Sequence, residues 1–198
     1  MRIDPLEFRN LTLEVHSLLH DVPLRDVSVV DLPGGGEGRT VADVDALMAP
    51  DHLTSANVAV RALFGLRRML GELFGWDAPA GGANRESYVH RLPALLRERS
   101  TVAPGTVRGL FVVVYQLERE SLAEVRNATV HAFLCTALQP RADGYRLYWG
   151  VYVKPVSWLT PVYMGVIEPF RRFIVYPTIL RRLRQTWMRA YNHRVKEV

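Results

Sequence analysis

Apolar residues recur at three- and four-residue steps in two stretches, 10–20 (Leu11, Val15, Leu18, Leu19) and 61–74 (Leu63, Leu66, Leu70, Leu73, Phe74). Arg61, Arg67 and Arg68 take other faces of the second stretch, and the spacing predicts two amphipathic helices. A shorter helix is predicted over 41–48, and 25–32 reads as a strand ending at Pro33. From residue 109 the period changes. Segments 109–119, 122–138 and 145–153 are rich in Val, Tyr, Phe and Thr, and Pro140-Arg141-Ala142-Asp143-Gly144 separates the last two as a hairpin turn. After Lys154 the pattern is helical again: Thr160 can cap, Pro161 suits a first turn, and Leu180, Leu183, Trp187 and Tyr191 form one stripe. Pro169 and Pro177 predict a broken or kinked helix over 157–192. The glycine-rich runs 32–38 and 78–82 read as loops, and no repeat or long linker divides the chain. The expected fold is α+β, a single domain over 1–198 in which a long C-terminal helix covers one face of an antiparallel sheet.

Alternation along each strand sorts its residues onto two faces. Arg108, Gln116 and Glu118 share a parity, as do Glu124 with Arg126 and Arg146 with Lys154, and these positions are expected to face water. The opposite parity collects Phe111, Val113, Tyr115 and Leu117, then Val125, Asn127, Thr129, His131, Phe133 and Cys135, then Tyr145, Leu147, Trp149, Val151 and Val153. The inferred inner face is apolar and aromatic around a polar island of Asn127, Thr129, His131 and the Tyr115 hydroxyl. Such a mixture suits a small-molecule pocket, whose apolar walls supply burial while a few polar groups orient the ligand. A filled core whose polar groups satisfy one another is the competing reading.

The segments ERESLAEVRNATVHAFLCTAL (118–138) and YRLYWGVYVKPVSWLTPVYMGVIEPFRRFIVYPTILRRLR (145–184) resemble the C-terminal half of an uncharacterised bacterial domain-of-unknown-function family. That family is similar to the START-like, polyketide-cyclase-like helix-grip (SRPBCC) superfamily. The N-terminal half is similar more loosely, through Leu32-Pro33-Gly34 and LRRMLGELFGWD (66–77). The resemblance implies a curved antiparallel sheet gripping the C-terminal helix, with a cavity for an apolar small molecule between them and catalysis in some members. Other members carry a His-x-Asp-Phe-Arg-like run and a Pro-Phe-His; here the matching stretches are Asn127–His131 and Pro169-Phe170-Arg171, so no role passes to the missing His or Asp.

Composition sharpens this picture. With 48% hydrophobic and 23% charged residues, the 198-residue chain has the proportions of an ordinary folded domain rather than a disordered one. The lone Cys135 forms no internal disulfide and no apolar leader opens the chain, which fits a reducing, cytoplasmic setting. The formal net charge is +5. From Thr160 onward the basic residues are Arg171, Arg172, Arg181, Arg182, Arg184, Arg189, Arg194 and Lys196, against only Glu168 and Glu197. The excess charge therefore belongs to the C-terminal segment. No nucleic-acid motif accompanies it, so a nucleic-acid partner is not expected. A solvated basic helix face is one reading, and weak anionic-membrane contact through Arg171, Arg172, Arg181, Arg182 and Arg184 is another.

Reactive chemistry is sparse. His16 and His20 have the i, i+4 spacing of a zinc pair but lack the intervening Glu and a third ligand, so no metal is expected. Gly34–Thr40 lacks the spacing and lysine of a phosphate loop, no cofactor motif appears, and no Gly-x-Ser-x-Gly elbow exists. The leading expectation is a protein holding an apolar or amphipathic small molecule, lined by Tyr115, Asn127, Thr129, His131, Phe133, Trp149, Met164 and Phe170. The alternatives are a cyclase-like enzyme using His131 with Tyr115 or Tyr148 as acid and base, and a peripheral membrane or partner-binding module.

Overall fold

A computed structural model describes residues 3–48, 86–126, 130–155, 165, 173 and 175–191. The predicted helix over 61–74, together with Asn127, Thr129, Met164, Phe170, Arg171 and Arg172, lies outside the described residues.

The described chain runs through α1 (Pro5–Arg9), α2 (Glu14–Leu18), β1 (Leu24–Pro33) and α3 (Val41–Leu47). A 3-10 turn (Tyr88–Arg91) and α4 (Ala94–Arg99) follow, then β2 (Val107–Arg108), β3 (Phe111–Gln116), β4 (Glu120–Arg126), β5 (Val130–Arg141), β6 (Gly144–Pro155) and α5 (Tyr176–Tyr191). The six strands form one open, curved antiparallel sheet in the order β1-β6-β5-β4-β3-β2. With helices on it, the architecture is α+β.

Local chemistry sets several boundaries. Of the predicted helix over 10–20 only α2 (Glu14–Leu18) is helical, and the separate α1 ends just before it, at Arg9. Thr40 and Asp43 close a capping box on α3, each carrying one of the free N-terminal donors. Pro177 falls in the first turn of α5, where its missing N–H is not needed. The free edge of β1 is covered: Ile3 N–H donates to the Val27 carbonyl, Arg184 Nε to Asp31 and Trp187 Nε1 to Pro33.

The sheet departs from the expected one in a way that reorganises everything on it. Residues 122–138 are not one strand. β4 ends at Arg126, β5 starts at Val130, and the two pair antiparallel with Glu124 opposite Phe133 and Arg126 opposite His131. Directly opposed residues share a face. Glu124 therefore looks to the same side as His131 and Phe133, whereas uninterrupted alternation would have put them on opposite sides.

Both faces are covered. On the first, α1, α2, the 3-10 turn and α4 pack Phe8, Val15, Leu19, Tyr88, Leu92 and Leu96 against Tyr115, Leu122, Phe133, Cys135, Tyr148 and Tyr152. On the second, α3 and α5 pack Val41, Val44, Leu180, Leu183 and Trp187 against Leu32, Leu138, Tyr145, Leu147 and Trp149. The parity expected to be wet in β6 is consequently buried at Tyr148 and Tyr152, with Arg146 and Lys154 at the strand's two ends. Gln116 and Glu124, also assigned to water by alternation, are buried.

Gly144 opens β6 at φ +144°, and a Cβ there would lie against the Leu32 carbonyl, well inside contact distance. The hairpin and the end of β1 close around it, since Gly34 N–H donates to the Asp143 carbonyl at 2.8 Å. Gly144→Ala is expected to lower stability by about 1–3 kcal/mol, read from the urea midpoint at unchanged m-value.

Candidate functional site

The polar groups expected to share one pocket are divided by the sheet. Tyr115, His131 and Phe133 belong to the first face and Trp149 to the second, so no single cavity wall contains them all.

On the first face both buried carboxylates already have partners. The Glu124 carboxylate is fully buried and accepts from Ser87 Oγ, from the Tyr88 backbone N–H at 3.1 Å and from His131 Nε2 at 2.9 Å. Arg126 Nε stands 3.4 Å away as an ion pair from the rim. Burial alone would push the Glu124 carboxyl up, but the His131, Ser87 and Tyr88 hydrogen bonds outweigh it and hold the group below the usual carboxylate range. His131 is 1% exposed, stacks on Phe133 at 4.3 Å between ring centroids and meets Tyr88 edge-on. Its Nδ1 is buried without a hydrogen-bond partner.

The order of contacts is serine to glutamate to histidine, so the imidazole does not reach the Ser87 hydroxyl as a nucleophile's base would. With Nε2 committed to Glu124 and the ring enclosed by aromatic side chains, His131 presents no nitrogen to solvent. The arrangement is a polar core satisfied at every group but His131 Nδ1.

A second buried carboxylate stands two same-face positions away on β4, beyond Leu122. Glu120 accepts from the backbone N–H groups of Glu14 and Val15, both at 2.9 Å, and from the Tyr115 hydroxyl at 2.6 Å. It thereby caps α2, whose own N-cap residue, Leu13, supplies no side-chain acceptor. Burial pushes its carboxyl up despite those bonds. Cys135 is buried in the same layer, and burial raises its thiol well above the ordinary value, as expected of an inert core cysteine.

The remaining sequence candidates are similarly occupied. Tyr148 donates to Glu7 at 2.9 Å and accepts from Arg141. His16 Nε2 donates to the Phe8 carbonyl while the Tyr152 hydroxyl donates to its Nδ1, and His20 Nδ1 lies 2.9 Å from the Ser17 carbonyl. The two imidazoles do not converge. The glycine-rich loop folds onto the Tyr145 hydroxyl, which donates to the Gly36 carbonyl and accepts from the Arg39 N–H.

The second face is different. Ser28, Trp149, Thr136 and Ser121 are successive cross-strand neighbours on β1, β6, β5 and β4, so polar atoms line up across the sheet at intervals of about 4.8 Å. Trp149 Nε1 in this row is buried without a hydrogen-bond partner. An indole N–H left so costs about 1–3 kcal/mol unless something accepts from it. Tyr176, the first residue of α5, lies tilted over the indole with centroids 5.4 Å apart. Beside the row, Ala123, Val125, Ala132 and Leu134 are only half-buried, and two of these are alanines. At the far end Arg108 donates to Gln116 and to Asp45 of α3, tying that helix to the sheet rim. Burial pushes the Asp45 carboxyl up against the pull of Arg108.

Residues 18–178 match the family described as protein of unknown function DUF2867. The chain belongs to that family. The DUF2867 match takes in the whole sheet and the start of α5, and with them both buried carboxylates and the Trp149 row. A comparison with curated proteins finds no match.

Sequence reasoning missed Glu124 and Glu120 as core groups and missed the Ser28–Trp149–Thr136 row. The available signal was the pair Asn127 and Thr129 between Arg126 and Val130, polar residues that interrupt the apolar alternation of the segment.

Proposed function

We propose that the chain binds an apolar small molecule carrying a hydrogen-bond acceptor, seated on the second sheet face between α3 and the start of α5, with the Trp149 indole as donor. The observation that carries this reading is the buried, unpartnered Trp149 Nε1 in the middle of a polar row, on a face that also buries Asp26 and Gln116. Half-buried Ala123, Ala132 and Leu134 supply apolar floor, and the hydroxyls of Ser28 and Thr136 flank the indole. The helix-grip resemblance points to the same space between sheet and C-terminal helix. On the first face, by contrast, His131 Nε2 is engaged by Glu124 and the ring is buried, which speaks against an acid–base role for it.

A matched pair of probes tests the donor role: a medium-chain 2-alkanone and the n-alkane of equal carbon number. The ketone is expected to raise the melting temperature more than the alkane. Trp149→Phe is expected to erase the difference, a loss of about 2–10-fold in ketone affinity, while the protein stays folded. Native mass spectrometry of gently purified protein complements it. No co-purifying small molecule, with no shift by either probe, would overturn the assignment.

A further inference from the structure

We propose that the bound molecule is an elongated chain with oxygens along one edge, lying across the strands so that a second oxygen meets the hydroxyls of Thr136 and Ser121. This rests on the reading of the Trp149 indole as a donor, and names the class of ligand that the donor serves. Gln116, Ser121, Thr136, Trp149 and Ser28 are cross-strand neighbours in turn on β3, β4, β5, β6 and β1, so polar side chains stand abreast over roughly 19 Å. All of them but Ser121, which is half-buried, are buried. Directly opposed residues hold their Cβ atoms about 5 Å apart on one face, which sets the Thr136 and Ser121 hydroxyls side by side. No described residue hydrogen-bonds either of these hydroxyls or that of Ser28. A hydroxyl both donates and accepts, so the pair can meet a carbonyl, an ether or another hydroxyl. One indole N–H asks for a single acceptor, whereas polar groups on three adjacent strands ask for oxygens spread along the ligand.

The flanking rows give the direction. On one side of the polar row Leu138 and Leu147 pack with Leu180 and Leu183 of α5. On the other side Val113, Ala123, Leu134 and Val151 form a parallel cross-strand row, in which Ala123 and Leu134 are only half-buried. A ligand running along the strands would meet the helix. One running across them keeps its oxygens on the polar row and its hydrocarbon on Ala123 and Leu134. The ligand therefore has a polar and an apolar edge along its length, unlike a fatty chain with one polar head. Arg108, beyond the end of the row, is already engaged by Asp45 at 2.8 Å and by the Gln116 side-chain oxygen at 3.0 Å. The groups that meet the ligand from Ser121 to Trp149 are thus neutral hydroxyls and an indole.

Titration calorimetry of the full chain with straight-chain alkanediones of one length tests this. One carbonyl stays next to the terminal methyl, the second steps along the chain from the fifth carbon onward, and the 2-alkanone of equal length is the reference. One or two adjacent positions of the second carbonyl are expected to bind about 2–10-fold tighter than the reference ketone, the worth of one added hydrogen bond, and the other positions more weakly than it. S121A/T136V has no side-chain hydrogen bond to lose, so it is expected to melt with the wild type and to bind no dione tighter than the ketone. A ketone that binds while every dione binds more weakly overturns this proposal and leaves the Trp149 reading standing. No binding by the ketone or by any dione overturns both. A preference for one dione that persists in S121A/T136V overturns the placement of the second oxygen at Thr136 and Ser121.

Discussion

Glu124→Ala is expected to lower the melting temperature by about 10 °C or more. Removing the carboxylate strands His131 Nε2, the Ser87 hydroxyl and the Tyr88 N–H inside the first face, where no water reaches them. Breaking one side of such a buried pair costs about 3–5 kcal/mol, and a domain of this length shifts by about 2–4 °C per kcal/mol. Glu124→Gln keeps an acceptor and the side-chain shape, and is expected to cost only about 1–2 kcal/mol. The pH dependence separates the two further. Because the folded carboxyl is held below its ordinary value of 4.5, its contribution is complete above that pH and is lost as pH falls through the lower folded value. Glu120 works in the opposite sense, since its raised carboxyl relieves the fold as it protonates. The acid limb of wild type should therefore be steeper than that of Glu124→Gln in urea titrations from about pH 6 downward, with Glu120 common to both. Parallel limbs would show that Glu124 does not carry the charge-assisted bonds described above.

Trp187→Ala is the second large effect. The indole is 0% exposed, donates to the Pro33 carbonyl at 3.1 Å, and meets Tyr145 and Tyr191 edge-on at 5.8 and 4.7 Å. Gly35, at φ +96°, lets the glycine-rich loop close over it, for a Cβ there would stand 2.7 Å from the ring. Truncation is expected to cost about 3–5 kcal/mol, from the cavity and from the orphaned edge carbonyl of β1, with a matching fall in the urea midpoint. Trp187→Phe restores most of the ring but not the N–H, and is expected to recover more than half of that loss. Full recovery would assign the effect to volume alone.

Much of the architecture is legible in period alone. β1, α3, the hairpin before β6 and the Leu180–Leu183–Trp187 stripe all lie where alternation, turn residues and helical spacing place them. What misled was the length of the second strand. A three-residue interruption changes no composition, yet it reverses the parity of everything beyond it, and so Glu124 passed for a surface charge and His131 for a pocket base. Arg146 and Lys154 misled for a related reason: charges at the two ends of β6 describe its ends, and the middle of both faces is covered by helices from distant parts of the chain.

The sequence by itself determined where β1, α3, the hairpin before β6 and the apolar stripe of α5 lie and where the excess charge resides, because those follow from neighbours a few residues apart. Tertiary structure alone decided which polar groups meet. Glu120 caps a helix 105 residues earlier in the chain, Glu124 gathers donors from a turn 36 and 37 residues before it, and Trp149 is left without an acceptor, all through strand register and helix placement. Partners so far apart leave no periodic trace, since hydrogen bonds depend on position in space and only the folded sheet supplies it.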